Sequence, residues 1–268
     1  LEEDLTIRYE NNAETKQMCI YGLGEMHIDV ITSKLKNRFG TTVTISPAKV
    51  PYRETIKKKV QVEGKHKKQS GGHGQYGHVK IEFSPGTTDG LEFTETIFGG
   101  SVPKNFHPAV EKGLQESMAK GVLAGYPVIG IKANLFDGSY HDVDSSEMSF
   151  KLAANLAFKE GMKQGGAVLL EPVGELRVSI PTSYSGDIMG DISKRRGRIM
   201  GMSESGRKGF TVIEAEVPSA EMGTYAIQLR AMTQGRGSYS FNFVRYEEAP
   251  AEVAAKVIEA AKKEAAVE

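Results

Sequence analysis

The sequence has little of several features that define whole classes of proteins. Its 268 residues include one cysteine, Cys19, and no tryptophan. A single cysteine cannot form an internal disulfide, so a disulfide framework is excluded and a reducing compartment is expected. No stretch approaches the roughly 18 consecutive apolar residues that a membrane-spanning helix needs. The formal net charge is zero, because 34 Lys and Arg balance 34 Asp and Glu, which excludes a uniformly basic nucleic-acid coat but not local basic patches.

Nucleotide-binding and targeting motifs are also missing. The sequence contains neither GxxxxGK[ST] nor NKxD, so it predicts no GTP or ATP site in this chain. No basic segment followed by an apolar one occurs near the start, which argues against a signal peptide and indicates a cytoplasmic protein without a membrane partner. Because the chain begins at Leu1, we expect it to be part of a longer protein.

The patterns that are present predict a multidomain α+β protein. Hydrophobic residues make up 39% of the sequence and charged residues 25%, which is typical of globular domains. Residues 1–50 have the pattern of an incomplete, ferredoxin-like ββαβ unit, with a helix that ends at Gly40 and a last strand at about 43–45. The remaining segments are an α/β domain over 51–166, a ferredoxin-like βαββαβ domain over 167–248 and a last helix over 249–268.

One helix of the second domain has a clear predicted start and face. Asp144 and Glu147 have the spacing of a capping box, which predicts a helix that runs to about residue 163. The large apolar residues at helical spacing, Met148, Leu152 and Leu156, are expected to face inward.

The most conspicuous motif is glycine-rich and comprises Ser70, Gly71, Gly72, His73, Gly74, Gln75, Tyr76 and Gly77. It satisfies the dinucleotide pattern GxGxxG, but alternating apolar residues follow it, so it opens a strand rather than the helix that would hold a pyrophosphate. Either the glycines only build a wide hairpin turn, or the loop contacts RNA. The range 57–80 holds seven lysines, Lys67 and Lys68 among them, against one acidic residue, which favours a phosphate partner. Gln75 and Tyr76 can then supply hydrogen bonds or stacking to bases.

A second polar segment comprises Asp137, Gly138, Ser139, Tyr140, His141, Asp142, Val143, Asp144, Ser145, Ser146 and Glu147. Its histidine and carboxylates permit a metal-site hypothesis, but Asp144 already serves the predicted helix cap. No HExxH or cysteine-based spacing accompanies these residues, so no metal ligand is predicted.

A third candidate lies at the end of a helix predicted over 184–196 and consists of Lys194, Arg195, Arg196 and Arg198. Basic residues at this position complement the helix dipole. Four cations within five residues exceed what capping needs, so a surface facing phosphates is predicted.

Several long strings together resemble one family. In chain order they are GLGEMHID at 22–29, SGGHGQYG at 70–77, LAGYP at 123–127, GSYHDVDSSE at 138–147, LLEP at 169–172 and GDISKRRG at 190–197. They resemble the carboxy-terminal part of bacterial elongation factor G, the GTPase that drives ribosomal translocation. The resemblance covers essentially the whole chain.

The resemblance implies a domain assignment. Residues 1–50 correspond to the third domain without its first strand and helix, and 51–166 to the fourth domain, whose tip enters the small-subunit decoding site. Residues 167–248 correspond to the fifth domain, which faces large-subunit rRNA near the stalk base, and 249–268 to a helix packing on the fourth domain.

The same resemblance implies partners and roles. The loops at 70–77 and 139–144 would contact tRNA and mRNA, with Gln75 and His141 at the family's glutamine and histidine positions. Lys67, Lys68 and the basic cluster Lys194, Arg195, Arg196 and Arg198 would face rRNA. The chain is expected to be a monomer without a catalytic residue or cofactor of its own, whereas GTP and magnesium belong to the full-length parent.

One position departs from the family pattern. The first loop usually reads SGGRGQYG, whereas this sequence has His73 at the arginine position. A permanent cation is thereby replaced by a side chain that is mostly neutral at pH 7. The alternatives are therefore a housekeeping translocation factor, a paralogue acting in ribosome recycling or rescue and, from a different class, a metal- or nucleotide-dependent enzyme.

Overall fold

The computed structural model describes residues 4–12, 15, 17–69 and 74–267, and their contacts divide the chain into two units. Unit 1 comprises Leu1–Pro51 and Glu171–Glu247, and unit 2 comprises Tyr52–Leu170 and Glu248–Glu268. The expected mixed α+β architecture with several domains is confirmed. Within the described ranges, no helix has the length and apolar character needed to cross a membrane.

The first part of unit 1 is a hairpin followed by a helix. Strands β1 (Arg8–Asn12) and β2 (Gln17–Tyr21) pair antiparallel, and α1 spans Glu25–Phe39. Gly40 ends α1 in a left-handed conformation with φ 65°, as predicted. The predicted strand at 43–45 is wrong, because residues 41–50 have no partner strand among the described residues.

The second part of unit 1 has the predicted βαββαβ order. Its elements are β8 (Ala167–Pro181, from Glu171 onward), α4 (Ser185–Lys194), β9 (Arg198–Glu204), β10 (Phe210–Pro218), α5 (Tyr225–Thr233) and β11 (Ser238–Glu248). The strands lie in the order β11-β8-β10-β9. Alternate residues of β8 and β10 face the helices and form a fully buried core that includes Leu176, Val178, Ile192 and Ile213.

Unit 2 is a four-stranded sheet packed against two helices. Its elements are β3 (Arg53–Ile56), β4 (Val60–Lys68), β5 (Gln75–Pro85), β6 (Leu91–Glu95), α2 (His107–Met118), β7 (Ile131–Ser139), α3 (Glu147–Gln164) and α6 (Ala251–Val267). The sheet order is β4-β5-β7-β6, while β3 pairs with residues 167–170 of β8. The core includes Ile81, Phe83, Leu135, Phe150 and Phe158.

The predicted inward face of α3 is wrong. Met148, Leu152 and Leu156 are 58%, 38% and 43% exposed. The helix instead presents small residues to the sheet: a Cβ placed on Gly64 of β4 would lie 2.0 Å from the Ala153 carbonyl oxygen. This close backbone approach requires glycine and alanine at the contact. The buried face of α3 therefore combines small residues at the closest approach with Phe150, Phe158 and Met162.

Candidate nucleic-acid interface

The sheet order of unit 2 brings the two predicted loops to one edge. Strand β4 ends opposite the start of β5, where Lys68 pairs with Gln75, and β7 ends opposite β5, where Ser139 pairs with His78. We call this edge the tip and define it as residues 65–69, 74–78 and 139–146. Ser70, Gly71, Gly72 and His73, which belong to the predicted first loop, lie outside the described residues.

Hydrogen bonds tie the two loops together. The Gly74 N–H donates to Oδ1 of Asp144 at 2.8 Å, and the Tyr76 N–H donates to the Asp144 carbonyl oxygen at 2.8 Å. The Ser145 hydroxyl donates to the Tyr76 carbonyl oxygen and accepts from the His141 N–H, both at 2.9 Å. Since each loop satisfies backbone groups of the other, the second loop is held in one position relative to β5.

These bonds correct the predicted helix cap. The Asp144 carboxylate bonds across to Gly74, and the N-cap of α3 is Ser146, whose hydroxyl accepts from the Ser149 N–H at 3.2 Å. Serine serves the same capping chemistry as aspartate. Asp144 is therefore free of the cap and joins the loops.

The side chain of Tyr76 packs against the ring of His141. The two rings have centroids 4.2 Å apart and planes tilted by 57°. The Tyr76 hydroxyl lies 2.7 Å from Ser139 Oγ, and the Lys65 ammonium lies 5.8 Å above the Tyr76 ring. Tyr76 is only 8% exposed, whereas Tyr140 and His141 are exposed. The tyrosine thus packs beneath the surface that the histidine presents.

The last glycine of the motif is a packing residue. Gly77 is buried in β5, and a Cβ there would lie 2.3 Å from the Ser149 carbonyl oxygen. Ser139 is half-buried between Tyr76 and His78, whose Nδ1 lies 2.9 Å from Ser139 Oγ. The exposed residues of the described tip are therefore Lys65, Lys67, Lys68, Gln69, Gln75, Tyr140, His141, Asp142, Val143 and Ser146.

The lysine run divides into paired and unpaired members along the strands. Away from the tip, Lys57 pairs with Glu248 at 2.6 Å and Lys59 with Glu82 at 2.8 Å. Lys80 donates to Asp137 at 2.8 Å, which holds the pKa of that carboxyl at about 2. In the part of the chain that the structure describes, no acidic side chain pairs with Lys67 or Lys68. Lys67 and Lys68 thus carry positive charge that no ion pair offsets within the described chain, on the β4 side of a tip that also exposes Asp142.

In unit 1 the arginines of the third candidate are largely engaged inside the unit. Arg195 is 8% exposed, and its guanidinium donates to Asp191, the Glu221 carbonyl oxygen and Gln228. Arg196, at φ 59°, donates to both oxygens of the buried Glu171 at 2.7 and 2.9 Å, which raises its pKa.

The remaining two cations of this cluster are more exposed. Arg198 contacts Glu216 but keeps 65% of its side chain in solvent, and Lys194 is exposed at the end of α4. Arg195 and Arg196 therefore hold unit 1 together, and the predicted contact with RNA phosphates rests on Lys194 and Arg198.

The described ranges contain no cluster of side chains that would support the metal-site hypothesis. No group of three or more His, Cys, Asp or Glu side chains is placed to hold an ion there. Asp144 is turned toward Gly74, and the His141 ring packs on Tyr76.

Lys65 belongs to the lysine run and Ser145 to the second polar segment, but sequence reasoning assigned neither of them a role at the tip. Strand register is the signal that finds them, because Lys65 pairs with His78 and Ser145 bridges to Tyr76. Ser145 and Tyr76 are 69 positions apart in the sequence, so their bridge is not visible in a local window.

Comparison with known proteins covers almost the whole chain. Family models match in three consecutive segments: Elongation Factor G, domain III, over residues 1–47; Elongation factor G, domain IV, over 48–166; and Elongation factor G C-terminus over 168–257. The chain belongs to the elongation factor G family. It therefore consists of domains of a translation elongation factor, a family that acts in protein biosynthesis.

A solved structure agrees with this membership of the elongation factor G family. A crystal structure of a protein from Thermus thermophilus superposes with a TM-score of 0.88 at 42% sequence identity. The match covers 98% of this chain and 39% of that chain, so the elongation factor G domains described here span well under half the length of that protein.

Proposed function

We propose that this elongation factor G chain is the ribosome-engaging part of a translocation GTPase, and that its tip contacts tRNA and mRNA in the small-subunit decoding site. The observation that carries the proposal is the tie between the two tip loops, which presents His141, Gln75, Lys67 and Lys68 together on one fixed edge. A preorganised edge of this kind binds a duplex without a large ordering cost.

Each exposed group has a distinct task in the proposed contact. Lys67 and Lys68 neutralise backbone phosphates. Within the described chain neither lysine forms an ion pair with an acidic side chain. Gln75 and His141 offer hydrogen bonds to sugars and base edges of the tRNA–mRNA duplex. Tyr76 keeps the His141 ring in place. The edge then acts as a wedge that prevents the moved duplex from sliding back.

In this proposal unit 1 contributes a contact with large-subunit rRNA near the stalk base. Lys194 and Arg198 are the groups available for phosphates, since Arg195 and Arg196 are engaged in internal pairs. GTP hydrolysis with magnesium is assigned to a part of the longer protein outside these residues, and no step of it is carried by this chain.

The test uses the longer protein that carries this chain together with its GTPase domain. We expect His141→Ala to slow single-round translocation about 10- to 100-fold while GTP hydrolysis on the ribosome stays unchanged, because the variant removes only an interaction that forms after hydrolysis. Lys112→Ala, an exposed lysine of α2 away from the tip, is the matched control and should leave both rates unchanged. An unaltered translocation rate in His141→Ala and in Lys67→Ala/Lys68→Ala would show that the tip does not make the proposed contact.

A second candidate function rests on His73, which stands where the family usually has arginine. Ribosome recycling or rescue would use the same domains for a different step. The longer protein should be assayed for translocation and for subunit splitting under the same conditions. Splitting without translocation would favour the second candidate, and translocation restored by His73→Arg would assign the difference to this position.

A further inference from the structure

A third loop flanks the tip of unit 2 and was assigned no role by the sequence. Strand β6 runs parallel to β7, so both strands end toward the same edge of the sheet. The loop over 96–103 continues along β7: the Thr96 N–H donates to the Leu135 carbonyl oxygen at 2.9 Å. Further on, Val102 packs so closely against Gly138 that a Cβ there would lie 2.5 Å from the valine Cγ2. The loop therefore reaches the point where the second tip loop begins.

This loop presents one large aromatic side chain to solvent. Phe98 is 94% exposed. It is followed by Gly99 and Gly100, with φ of 70° and 71°, and these left-handed conformations turn the chain sharply. Both loop ends are fixed: Thr96 is bonded to β7, and Val102 is 1% exposed with its carbonyl oxygen 3.0 Å from His107 Nε2. The ring is thus held outward by an anchored turn.

The surroundings of Phe98 favour a nucleic-acid partner. The order β4-β5-β7-β6 places the three loops in one row along the edge that carries the unpaired Lys67 and Lys68. Helices α2 and α3 both begin at this edge, as the stacking of Phe106 on Phe150 shows, and they direct the positive ends of their dipoles toward it. The two lysines and the two helix N-termini favour anionic groups at this edge, although the loop after β7 also carries Asp142. An exposed aromatic ring at such an edge offers the face on which a nucleobase stacks.

We infer that Phe98 is a stacking platform for an unpaired nucleobase of the RNA that the tip engages. The inference rests on the proposed function, since that proposal brings RNA to this edge. It adds a third contact loop to the proposed interface, and a second exposed aromatic side chain beside Tyr140. Stacking tolerates any base, so the platform strengthens binding without selecting sequence.

Photocrosslinking in the longer protein tests where the ring lies. Phe98→p-azidophenylalanine and, separately, Tyr140→p-azidophenylalanine are bound to ribosomes carrying mRNA and tRNA, irradiated, and the crosslinked nucleotides mapped by primer extension. The expected result is an RNA crosslink from both positions. An RNA crosslink from position 140 with none, or only a protein crosslink, from position 98 overturns the inference and leaves the proposed function standing. No RNA crosslink from either position overturns both.

Substitutions measure whether the ring contributes to binding. We expect Phe98→Ala to weaken binding to the same ribosome complex about tenfold, the effect typical of losing one stacked base. Phe98→Leu, which keeps a large apolar side chain without a ring, should be equally weak, and Phe98→Trp should bind at least as tightly as the unaltered protein. Equal affinity for the leucine and tryptophan variants would overturn the stacking role. Thermal unfolding should be unchanged in all three because the side chain is exposed.

Discussion

Two basic regions of this elongation factor G chain use their charge in different ways. At the tip of unit 2 the cations are lysines on exposed strand and loop positions, and no acidic side chain of the described chain pairs with Lys67 or Lys68. At the end of α4 in unit 1 the cations are mainly arginines, and Arg195 and Arg196 donate into a network with Asp191, Glu171 and Glu221. The tip keeps its charge for a partner, whereas the helix end uses most of its charge to hold the fold.

The choice of residue follows from this difference. The planar guanidinium of arginine matches a carboxylate with two parallel hydrogen bonds, as Arg196 does with Glu171. The compact ammonium of lysine on a flexible stem is suited to solvated contact with phosphates that must form and break in every cycle. Density of basic residues alone therefore does not identify an RNA-binding surface.

The largest expected effect comes from breaking the internal network of unit 1. Arg196→Ala leaves the Glu171 carboxylate, with 5% of its side chain exposed, without its bidentate partner. Removing one member of a buried pair is strongly destabilising, and the Arg196 side chain keeps 29% of its surface in solvent, so we expect the free energy of unfolding to fall by about 3 kcal/mol, the lower end for such pairs. Because the chain has two units, hydrogen exchange read by mass spectrometry over residues 171–247 is the appropriate measurement.

Two further variants test whether the loss of the Arg196–Glu171 ion pair causes the fall in stability. Arg198→Ala, whose side chain is far more exposed, should cost under about 1 kcal/mol. The double variant Glu171→Met/Arg196→Met removes both charges and should be more stable than Arg196→Ala. A stability loss confined to unit 2, or equal losses in Arg196→Ala and Arg198→Ala, would contradict the assignment of Arg196 to the internal network.

The complementary change at the tip should alter binding and leave stability intact. Lys67→Ala/Lys68→Ala removes two exposed charges with no partner in the described chain. Removing one phosphate-binding charge lowers the salt dependence of binding, so the slope of log affinity against log salt concentration should fall by roughly one unit per lysine. Binding of the longer protein to ribosomes at several salt concentrations measures this slope, with Lys112→Ala as the control.

The two regions would not differ in this way if the tip lysines stabilised the fold or if Arg196 bound a partner. An unchanged salt slope together with a stability loss of more than about 0.5 kcal/mol, the usual limit for surface substitutions, would mean that the tip lysines also serve the fold. The opposite pattern, a reduced salt slope in Arg196→Ala, would mean that the helix end keeps charge for a partner after all.

The fold was largely predictable because local patterns determine it. Alternating apolar residues in β8 and β10 and glycine at the end of α1 gave the elements and their order. The prediction of a strand at 43–45 was wrong because a strand needs a neighbouring strand to pair with, and a local sequence pattern does not show whether one is present. The predicted inward face of α3 was wrong because Gly64 and Gly77 bring strand backbone against helix backbone, so the face that contacts the sheet is the one that carries the alanines together with Phe150 and Phe158.

The sequence predicted which residues form the candidate site, but it predicted the roles of several of them wrongly. Tyr76 was expected to stack on bases but is 8% exposed and packs beneath His141. Asp144 was expected to cap a helix but bonds to Gly74, 70 residues away in sequence. The pairs that occupy Arg195 and Arg196 involve Glu171, Glu221 and Gln228, 25 to 33 positions distant. Charge pairing over such separations is a property of the folded chain.

The smallest expected effect is on how the stability of unit 1 depends on pH. This dependence should distinguish the Arg245–Glu216 ion pair from the more exposed Arg177–Glu214 pair. Arg245 donates to both carboxylate oxygens of Glu216 at 2.7 Å, and together with Arg198 it lowers the pKa of Glu216 to about 2. A carboxyl whose pKa is lower in the folded state contributes stability that is complete above its unfolded pKa near 4.3 and is lost as the pH falls toward 2. Part of the pair is in contact with solvent, so the contribution is small, as it is for other solvent-screened ion pairs.

The variant Glu216→Gln tests whether this contribution to stability decreases as the pH falls. The variant should be less stable than the unaltered chain at pH 7, and the difference should shrink as the pH is lowered from 5 to 2.5, measured by hydrogen exchange over 171–247 corrected for the intrinsic rate at each pH. Glu214→Gln is the matched control, because its partner Arg177 keeps 54% of its side chain in solvent and the pair should contribute little at any pH. A difference that grows on acidification would mean that the Glu216 carboxylate destabilises unit 1. The arginines facing it would then carry charge available to an RNA partner, as the lysines of the tip do, and the contrast between the two regions would no longer hold.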